Sequence, residues 1–139
     1  MIEIDPSTEF GARVARRLDQ EQIIWLTTVR RDGTPQPVPL WFLWDGESFL
    51  IYSQPNTPKV RNIGHNPTVA LQFNCDRHGN DVVVFTGAAR IVDDAPPVDQ
   101  VPAFVAKYRE DMAPGKEAEN MARDYTVAIR VTPTKLRGF

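Results

Sequence analysis

The sequence predicts one mainly β domain, an antiparallel barrel of six strands with flanking helices. Six runs rich in β-branched and aromatic residues lie along the chain, and tight turns such as Asp32-Gly33 join most of them. The length of 139 residues suits one domain, and no linker divides it. Because closure removes the exposed edges of a small sheet, a barrel is the favoured arrangement.

The composition predicts a cytoplasmic protein and disfavours several functional classes. The net charge of −2 gives no sign of a nucleic-acid or anionic membrane partner. A single cysteine excludes an intrachain disulfide, and the sequence has no Cys/His cluster typical of zinc sites. No apolar run approaches the ~20 residues that span a bilayer, and residues 1–5 do not resemble a signal peptide.

The first predicted element is an amphipathic helix over residues 7–22, with Pro6 or Ser7 near its cap. Its core face is predicted from three apolar residues spaced four apart: Phe10, Val14 and Leu18. The solvent face is predicted to carry the charged residues Arg13, Arg16, Arg17, Asp19 and Glu21.

Three strands joined by hairpins are predicted next, over residues 23–30, 36–44 and 48–53. The second carries three prolines at alternating positions: Pro35, Pro37 and Pro39. Because proline cannot donate a backbone hydrogen bond, the side of the strand that these positions face is predicted to be unpaired. Such an edge is exposed to solvent or available to another molecule.

A turn and a short helix follow the third strand. Thr57 can cap this helix through its hydroxyl group, and Pro58 suits the first helical position, which needs no N–H group. Val60 and Ile63, three residues apart, are predicted to face the core. The helix is expected to end at residues 65–67.

The start of this helix is a candidate anion site. Its free N–H groups and the positive end of its dipole favour an anion, and Lys59 and Arg61 add two cations. Since cations are unfavourable at a helix N-terminus unless an anion offsets them, the pattern indicates a phosphate. The alternative is an ordinary surface helix with two solvated basic residues.

The remaining chain is predicted to complete the barrel, which spans residues 23–92 before a helical excursion. A fourth strand covers residues 68–74, and a fifth covers residues 81–92 with an interruption at residues 87–89. Small residues inside a strand indicate a bulge or a close approach by another backbone or a ligand.

A helical excursion over residues 97–123 and a final strand within residues 125–139 complete the predicted elements. The excursion is predicted as two helices, over residues 101–111 and 115–123, because apolar residues recur at helical spacing.

The sequence lacks the motifs of common catalytic sites. It contains no serine nucleophile elbow, no Walker loop and no Gly-x-Gly-x-x-Gly turn. His65 and His78 lie in polar turns, which are typical of surface residues. No catalytic residue and no metal ligand are therefore predicted, and an enzyme of this kind would take its chemistry from a cofactor.

Eight segments occur in the order found in one known family: WLTTV (25–29), DGTP (32–35), PVPLWF (37–42), YSQP (52–55), TPKVRNI (57–63), DVVV (81–84), YR (108–109) and VTPT (131–134). They resemble the pyridoxamine-phosphate-oxidase-like split β-barrel proteins. Within that family the chain is most similar to the actinobacterial oxidoreductases that depend on the deazaflavin coenzyme F-420. Relatives bind FMN, F-420 or haem.

The resemblance implies a homodimer with two cofactor sites at the subunit interface. Residues 53–62 would hold the cofactor phosphate, with Lys59 as the main cation, and residues 38–42 would lie along the ring. A weaker contribution is implied from residues 72–74, on the neighbouring strand or on the other subunit. The implied cofactor-binding residues are Val38, Pro39, Leu40, Trp41, Ser53, Gln54, Thr57, Pro58, Lys59, Val60, Arg61, Asn62, Gln72 and Asn74. Trp41 and Phe42 are expected either to stack on the ring or to fill the core.

The activity that the resemblance implies is hydride transfer between coenzyme F-420 and a small unsaturated organic acceptor. Three alternatives stay open. One is an FMN-dependent oxidase or reductase of the same fold, which the presence of only two obvious phosphate cations, Lys59 and Arg61, disfavours. The others are a non-catalytic protein that binds a cofactor or a tetrapyrrole, and an interaction module without a ligand.

Overall fold

The computed structural model describes residues 2–112, 115 and 117–139, and it confirms the predicted fold class: a curled antiparallel sheet with flanking helices. The α-helices of the described residues are α1 Glu9–Gln20, α2 Pro58–His65, α3 Pro102–Tyr108 and α4 Glu117–Asp124. The strands are β1 Ile24–Val29, β2 Pro35–Leu40, β3 Leu43–Trp44, β4 Phe49–Ser53, β5 Thr68–Gln72, β6 Val83–Val92 and β7 Val127–Gly138.

The seven strands form one sheet in the order β2-β1-β5-β6-β7-β4-β3. One more strand is present than the sequence predicts, because the single strand expected over residues 36–44 is divided into β2 and β3. These two strands are the opposite edges of the sheet, so hydrogen bonds do not close the barrel. The chain crosses this split at Trp41 and Phe42.

Strand β2 has the unpaired edge that its prolines predict. It pairs with β1 alone, in a register that sets Pro37 opposite Thr27 and Pro39 opposite Trp25. Its other side has no strand neighbour. Local backbone chemistry therefore determines which strand ends the sheet.

Two hydrophobic clusters lie on opposite faces of the sheet at β4, where consecutive residues are buried on both sides. Phe49 and Ile51 belong to the larger cluster, which contains the residues inside the curl. Leu50 and Tyr52 belong to a second cluster with residues of the helical excursion. The excursion therefore covers the outer face of β4.

Helix α1 packs on the sheet as predicted, with Val14 and Leu18 buried. Its cap is Thr8 instead of Pro6 or Ser7, and the Thr8 hydroxyl accepts the Gly11 N–H at 2.9 Å. The structure also corrects the position of Arg17, which was expected on the solvent face. The residue is only 6% exposed, and its side chain forms several partly buried hydrogen bonds.

The contacts of Arg17 connect α1 to the segment between β5 and β6. The guanidinium group lies 3.3 Å from the Asp81 carboxylate and 3.1 Å from the Glu21 carboxylate. It also donates to the backbone oxygens of Asp81 at 2.7 Å and Asn74 at 2.5 Å. These partners compensate for the loss of hydration of the buried charge.

The interruption predicted at residues 87–89 is a shift of register in β6, and the strand itself is continuous from Val83 to Val92. The register with β7 shifts between Thr86 and Gly87, and a Cβ atom at position 87 would overlap the carbonyl oxygen of Thr132. Both predicted reasons for small residues here, a bulge and a close backbone approach, are confirmed.

The helical excursion is more fragmented than the sequence predicts. Short 3-10 helices, Val98–Gln100 and Arg109–Asp111, flank α3. The second predicted helix, 115–123, overlaps α4, but Lys116 within it lies outside the described residues, as do Met1, Ala113 and Pro114. Among the described helices, none has both the length and the apolar character needed to cross a bilayer.

Candidate functional site

A cleft of about 400 Å³ lies between the free edge of β2 and helix α4, and we call it the main cleft. From the β2 side it is lined by Val38, Pro39, Leu40 and Trp41. From α4 and its flanks it is lined by Met112, Glu117, Asn120, Met121, Asp124 and Tyr125. Tyr52 and Lys59 complete the lining. The volume is within the usual range of small-molecule sites, roughly 300–1,000 Å³.

The β2 edge offers hydrogen-bond acceptors to this cleft. In the hairpin, the Arg30 N–H donates to the Thr34 oxygen at 2.9 Å. From Thr34 onward, every second residue of β2 forms backbone hydrogen bonds with β1, and the residues between them do not. Pro37 and Pro39 are therefore at positions whose backbone faces away from β1. Since proline has no N–H group, these positions present carbonyl oxygens and no donor.

Trp41 lies between the main cleft and a buried ring. Its indole stacks on Tyr108, with the centroids 4.3 Å apart and the planes 6° from parallel. Tyr108 is fully buried, whereas Trp41 is partly exposed and lines the cleft. Phe42 is fully buried in the larger core cluster, so of these two aromatic residues only Trp41 contacts the cleft.

Lys107 of α3 contacts Phe42, the residue that follows Trp41. Its ammonium group donates to the Phe42 oxygen at 2.9 Å and lies 3.4 Å from the centroid of the Phe42 ring. Burial lowers the pKa of Lys107 to about 8, although Asp19 and Glu21 act in the opposite direction. Helix α3 thus holds the segment that follows the β2 edge.

Lys59 marks the junction of two clefts. It lines the main cleft and also an adjoining cleft of about 200 Å³ that includes Thr28, Gln36 and Pro58. Burial lowers the pKa of Lys59. None of the ion pairs among the described residues includes Lys59. The site therefore has a half-buried cation that belongs to none of the ion pairs the structure describes.

The helix that carries Lys59 begins as predicted, with one correction. Thr57 is the N-cap and Pro58 the first helical residue, but the Thr57 hydroxyl does not cap the helix. It lies 3.2 Å from the Ser53 hydroxyl instead. Ile63 is buried and Val60 packs against the core, as predicted. The Thr57 side chain makes no capping hydrogen bond, so it leaves the first-turn N–H groups of α2 unoccupied.

Asn62 fixes α2 against the hairpin of β1 and β2. The residue is 5% exposed, and its side-chain amide donates to Thr28 Oγ1 at 3.0 Å and to Gln36 Oε1 at 2.8 Å. Asn62 and Arg61 also line a third, open cleft that contains Arg30, Arg31 and His65. The exposed Arg61 side chain donates to the Asn56 oxygen. Lys59 and Arg61 therefore lie in different clefts.

Six of the predicted cofactor residues lie outside the linings of these three clefts, as far as the described residues show: Ser53, Gln54, Thr57, Val60, Gln72 and Asn74. Ser53 is fully buried and donates to the Gln54 oxygen, and Gln54 is exposed. Gln72 pairs within the sheet, and Asn74 accepts the Trp25 indole N–H at 3.0 Å.

The wall that α4 forms was not predicted from the sequence. Glu117, Asn120, Met121 and Asp124 all line the main cleft. Their spacing of three, four and seven residues from Glu117 indicates one face of a helix. That signal identifies the face, but it does not indicate which surface the helix lies against.

Comparisons with known structures agree with this architecture. An F420 reductase is 29% identical, over 88% of this chain and 94% of its own, with a TM-score of 0.69. A conserved hypothetical protein from Mycobacterium tuberculosis is 20% identical, over 94% and 82% of the two chains, with a TM-score of 0.72. The haem storage protein HutZ from Vibrio cholerae is 17% identical, over 99% and 95%, with a TM-score of 0.67. The last two similarities show the fold alone.

No curated protein sequence matches this chain. The family model for pyridoxamine 5'-phosphate oxidase, however, matches residues 10–139, which is nearly the whole sequence. The resemblance expected from the sequence motifs is thus confirmed: the chain belongs to the pyridoxamine 5'-phosphate oxidase family and has its split-barrel, flavin-binding type of fold.

Proposed function

We propose that this protein binds coenzyme F-420 and is an oxidoreductase that reduces a small unsaturated organic molecule. The observation that carries the proposal is Lys59, a half-buried cation without a carboxylate partner among the described ion pairs, at the junction of the main and adjoining clefts. An uncompensated cation at this depth fits a phosphate group. The 29% identity to an F420 reductase supports the choice of cofactor.

The described residues fit such a cofactor at two points. Lys59 and the first-turn N–H groups of α2 would hold the phosphate, and the β2 edge from Val38 to Leu40 would lie along the ring. The acceptor's double bond would take up a hydride from reduced F-420 and a proton from solvent. The chain's own residues would bind and orient both molecules and exclude water, since none of the described residues that line the cleft has an evident role as a catalytic acid or base.

The proposal includes a homodimer. Pro37 and Pro39 are exposed in the single chain, and the main cleft opens beside them. A second copy placed against this edge would cover the exposed prolines and complete the wall of the site. Light scattering after gel filtration tests this directly: the expected mass is twice that of one chain of 15.7 kDa.

Fluorescence titrations with F-420 and with FMN test the cofactor assignment. We expect the wild-type protein to bind F-420 more tightly than FMN. Replacing Lys59 with alanine should weaken F-420 binding by about 1.5–3 kcal/mol, because a charge-assisted contact is lost. Lys135→Ala is the matched control, since Lys135 is exposed on β7 and outside the clefts.

Failure of F-420 to bind, or equal binding by the Lys59 and Lys135 variants, would refute the proposal. Tighter binding of FMN would instead assign the protein to the FMN-dependent alternative.

A further inference from the structure

The main cleft has an apolar, aromatic part that the phosphate site does not use. Trp41 is supported from behind by the buried Tyr108 ring. Met112 and Met121, which are partly buried and pack against the second core cluster, line the same cleft. An indole ring and flexible thioethers make favourable contacts with flat conjugated molecules. The shape and chemistry of this part therefore suit a planar ligand.

The charge of this part comes from α4. Glu117 and Asp124 both line the cleft. Asp124 lies 3.3 Å from Arg123, and both of these side chains are largely exposed. Glu117 takes part in none of the ion pairs among the described residues. Glu117 is thus the α4 carboxylate of this cleft that takes part in no described ion pair, and a ligand would meet its charge directly.

Lys59 lies where the main cleft meets the adjoining 200 Å³ cleft, to which no residue of α4 contributes. The β2 edge adds a carbonyl oxygen and no N–H donor at Pro39, the proline that lines the main cleft. A carboxylate placed against α4 would therefore meet like charge and find no backbone donor at this position.

We infer that the substrate of the proposed reaction is a flat conjugated molecule that is neutral or cationic. Trp41 is its stacking surface, and Glu117 determines its charge preference. This inference rests on the proposed function, since it assigns the β2 edge to the cofactor ring and the α4 side to the substrate.

Three molecules with one bicyclic ring and different charges test the inference: quinoline, 1-methylquinolinium and quinoline-3-carboxylate. Their dissociation constants are measured by calorimetry with protein saturated with F-420. We expect the neutral and cationic molecules to bind at least about fivefold more tightly than the carboxylate. Glu117→Gln should reduce the ratio of the affinity for the cation to the affinity for the carboxylate by about threefold to fivefold, as expected for a partly exposed charge pair.

Two further variants separate charge from stacking. Glu119→Gln removes the same charge from an exposed position of α4 outside the cleft lining, and it should leave the ratio unchanged. Trp41→Leu should weaken the binding of all three molecules about tenfold and should preserve the ratio.

Equal affinity for the cation and the carboxylate, binding of none of the three molecules, or equal effects of Glu117→Gln and Glu119→Gln would overturn the inference. An F-420 titration of the same samples separates the two ideas. Normal F-420 binding without a charge preference overturns the substrate class alone, whereas absence of F-420 binding overturns the proposed function and this inference with it.

Discussion

The Tyr108 hydroxyl accepts a hydrogen bond from the Phe42 backbone N–H, with the two atoms 2.8 Å apart. The hydroxyl proton has two acceptors within reach, the Gln22 oxygen at 2.8 Å and the Phe42 oxygen at 2.9 Å. Tyr108 and Phe42 are 66 positions apart in the sequence. One buried side chain of α3 thus provides the hydrogen bonds that β2 and β3 do not supply at the split.

Replacing Tyr108 with phenylalanine should destabilise the protein by about 1–3 kcal/mol, because the buried Phe42 N–H loses its acceptor. Urea unfolding followed by circular dichroism measures this change. Tyr125→Phe is the control, since Tyr125 is 36% exposed and its hydroxyl makes no hydrogen bond with the described residues. Equal stability of the two variants would show that the hydroxyl bond has no net effect.

The pKa of Lys107 predicts a pH-dependent contribution to stability. The pKa is about 8 in the folded chain against 10.5 for a free lysine. Between these values the unfolded state binds more protons, so the contribution of Lys107 to the free energy of unfolding rises as the pH increases from about 8 to 10.5. The stability of the wild type relative to Lys107→Met should therefore increase over this interval.

Urea unfolding of both proteins at pH 7, 8.5 and 10, in roughly matched buffers, measures the difference, and the titration of other groups cancels in it. A difference that decreases with pH would mean that the contacts of the ammonium group with the Phe42 oxygen and ring outweigh its burial.

Asn62 and Thr28 should be energetically coupled. Asn62→Leu leaves the buried Thr28 hydroxyl without this donor and should cost about 1–3 kcal/mol. Adding Thr28→Val should cost less in that background than in the wild type, by about 0.5–1.5 kcal/mol, because both polar partners are then removed. A double-mutant cycle from denaturant unfolding gives the coupling, and strictly additive effects would contradict it.

Two glycine substitutions should have opposite signs. Gly87→Ala places a methyl group against the Thr132 backbone and should cost about 1–3 kcal/mol. Gly64→Ala, inside α2 with open space around its Cβ position, should stabilise the protein by up to about 1 kcal/mol. Thermal unfolding of the two variants compares them, and a destabilised Gly64→Ala would show that α2 does not tolerate the side chain.

The elements that the sequence predicts well depend on local backbone chemistry. Alternating prolines determine the free edge of β2, Pro58 and Asn66 bound α2, and Gly87 marks the bulge in β6. Each of these effects acts through a residue's own φ angle, N–H group or missing side chain. A single sequence is sufficient for such features.

The features that the sequence did not predict depend on partners far along the chain. Arg17 is buried because Asp81 and Asn74 supply acceptors, and the strand expected over residues 36–44 is divided where Tyr108 binds Phe42. The α4 wall of the cleft is likewise a matter of tertiary packing. The cap predicted for the Thr57 hydroxyl depends on local sequence, yet it does not form, and this hydroxyl lies beside the Ser53 hydroxyl instead.

The prolines of β2 have one more consequence, for the behaviour of the protein at high concentration. A strand from another molecule extends a sheet by exchanging N–H and C=O groups along its edge. Strand β2 cannot donate at Pro35, Pro37 or Pro39, and the opposite edge, β3, has only two residues. Both edges of the sheet are thereby protected against edge-to-edge pairing into fibrils, and the longer β2 edge remains available to a small molecule.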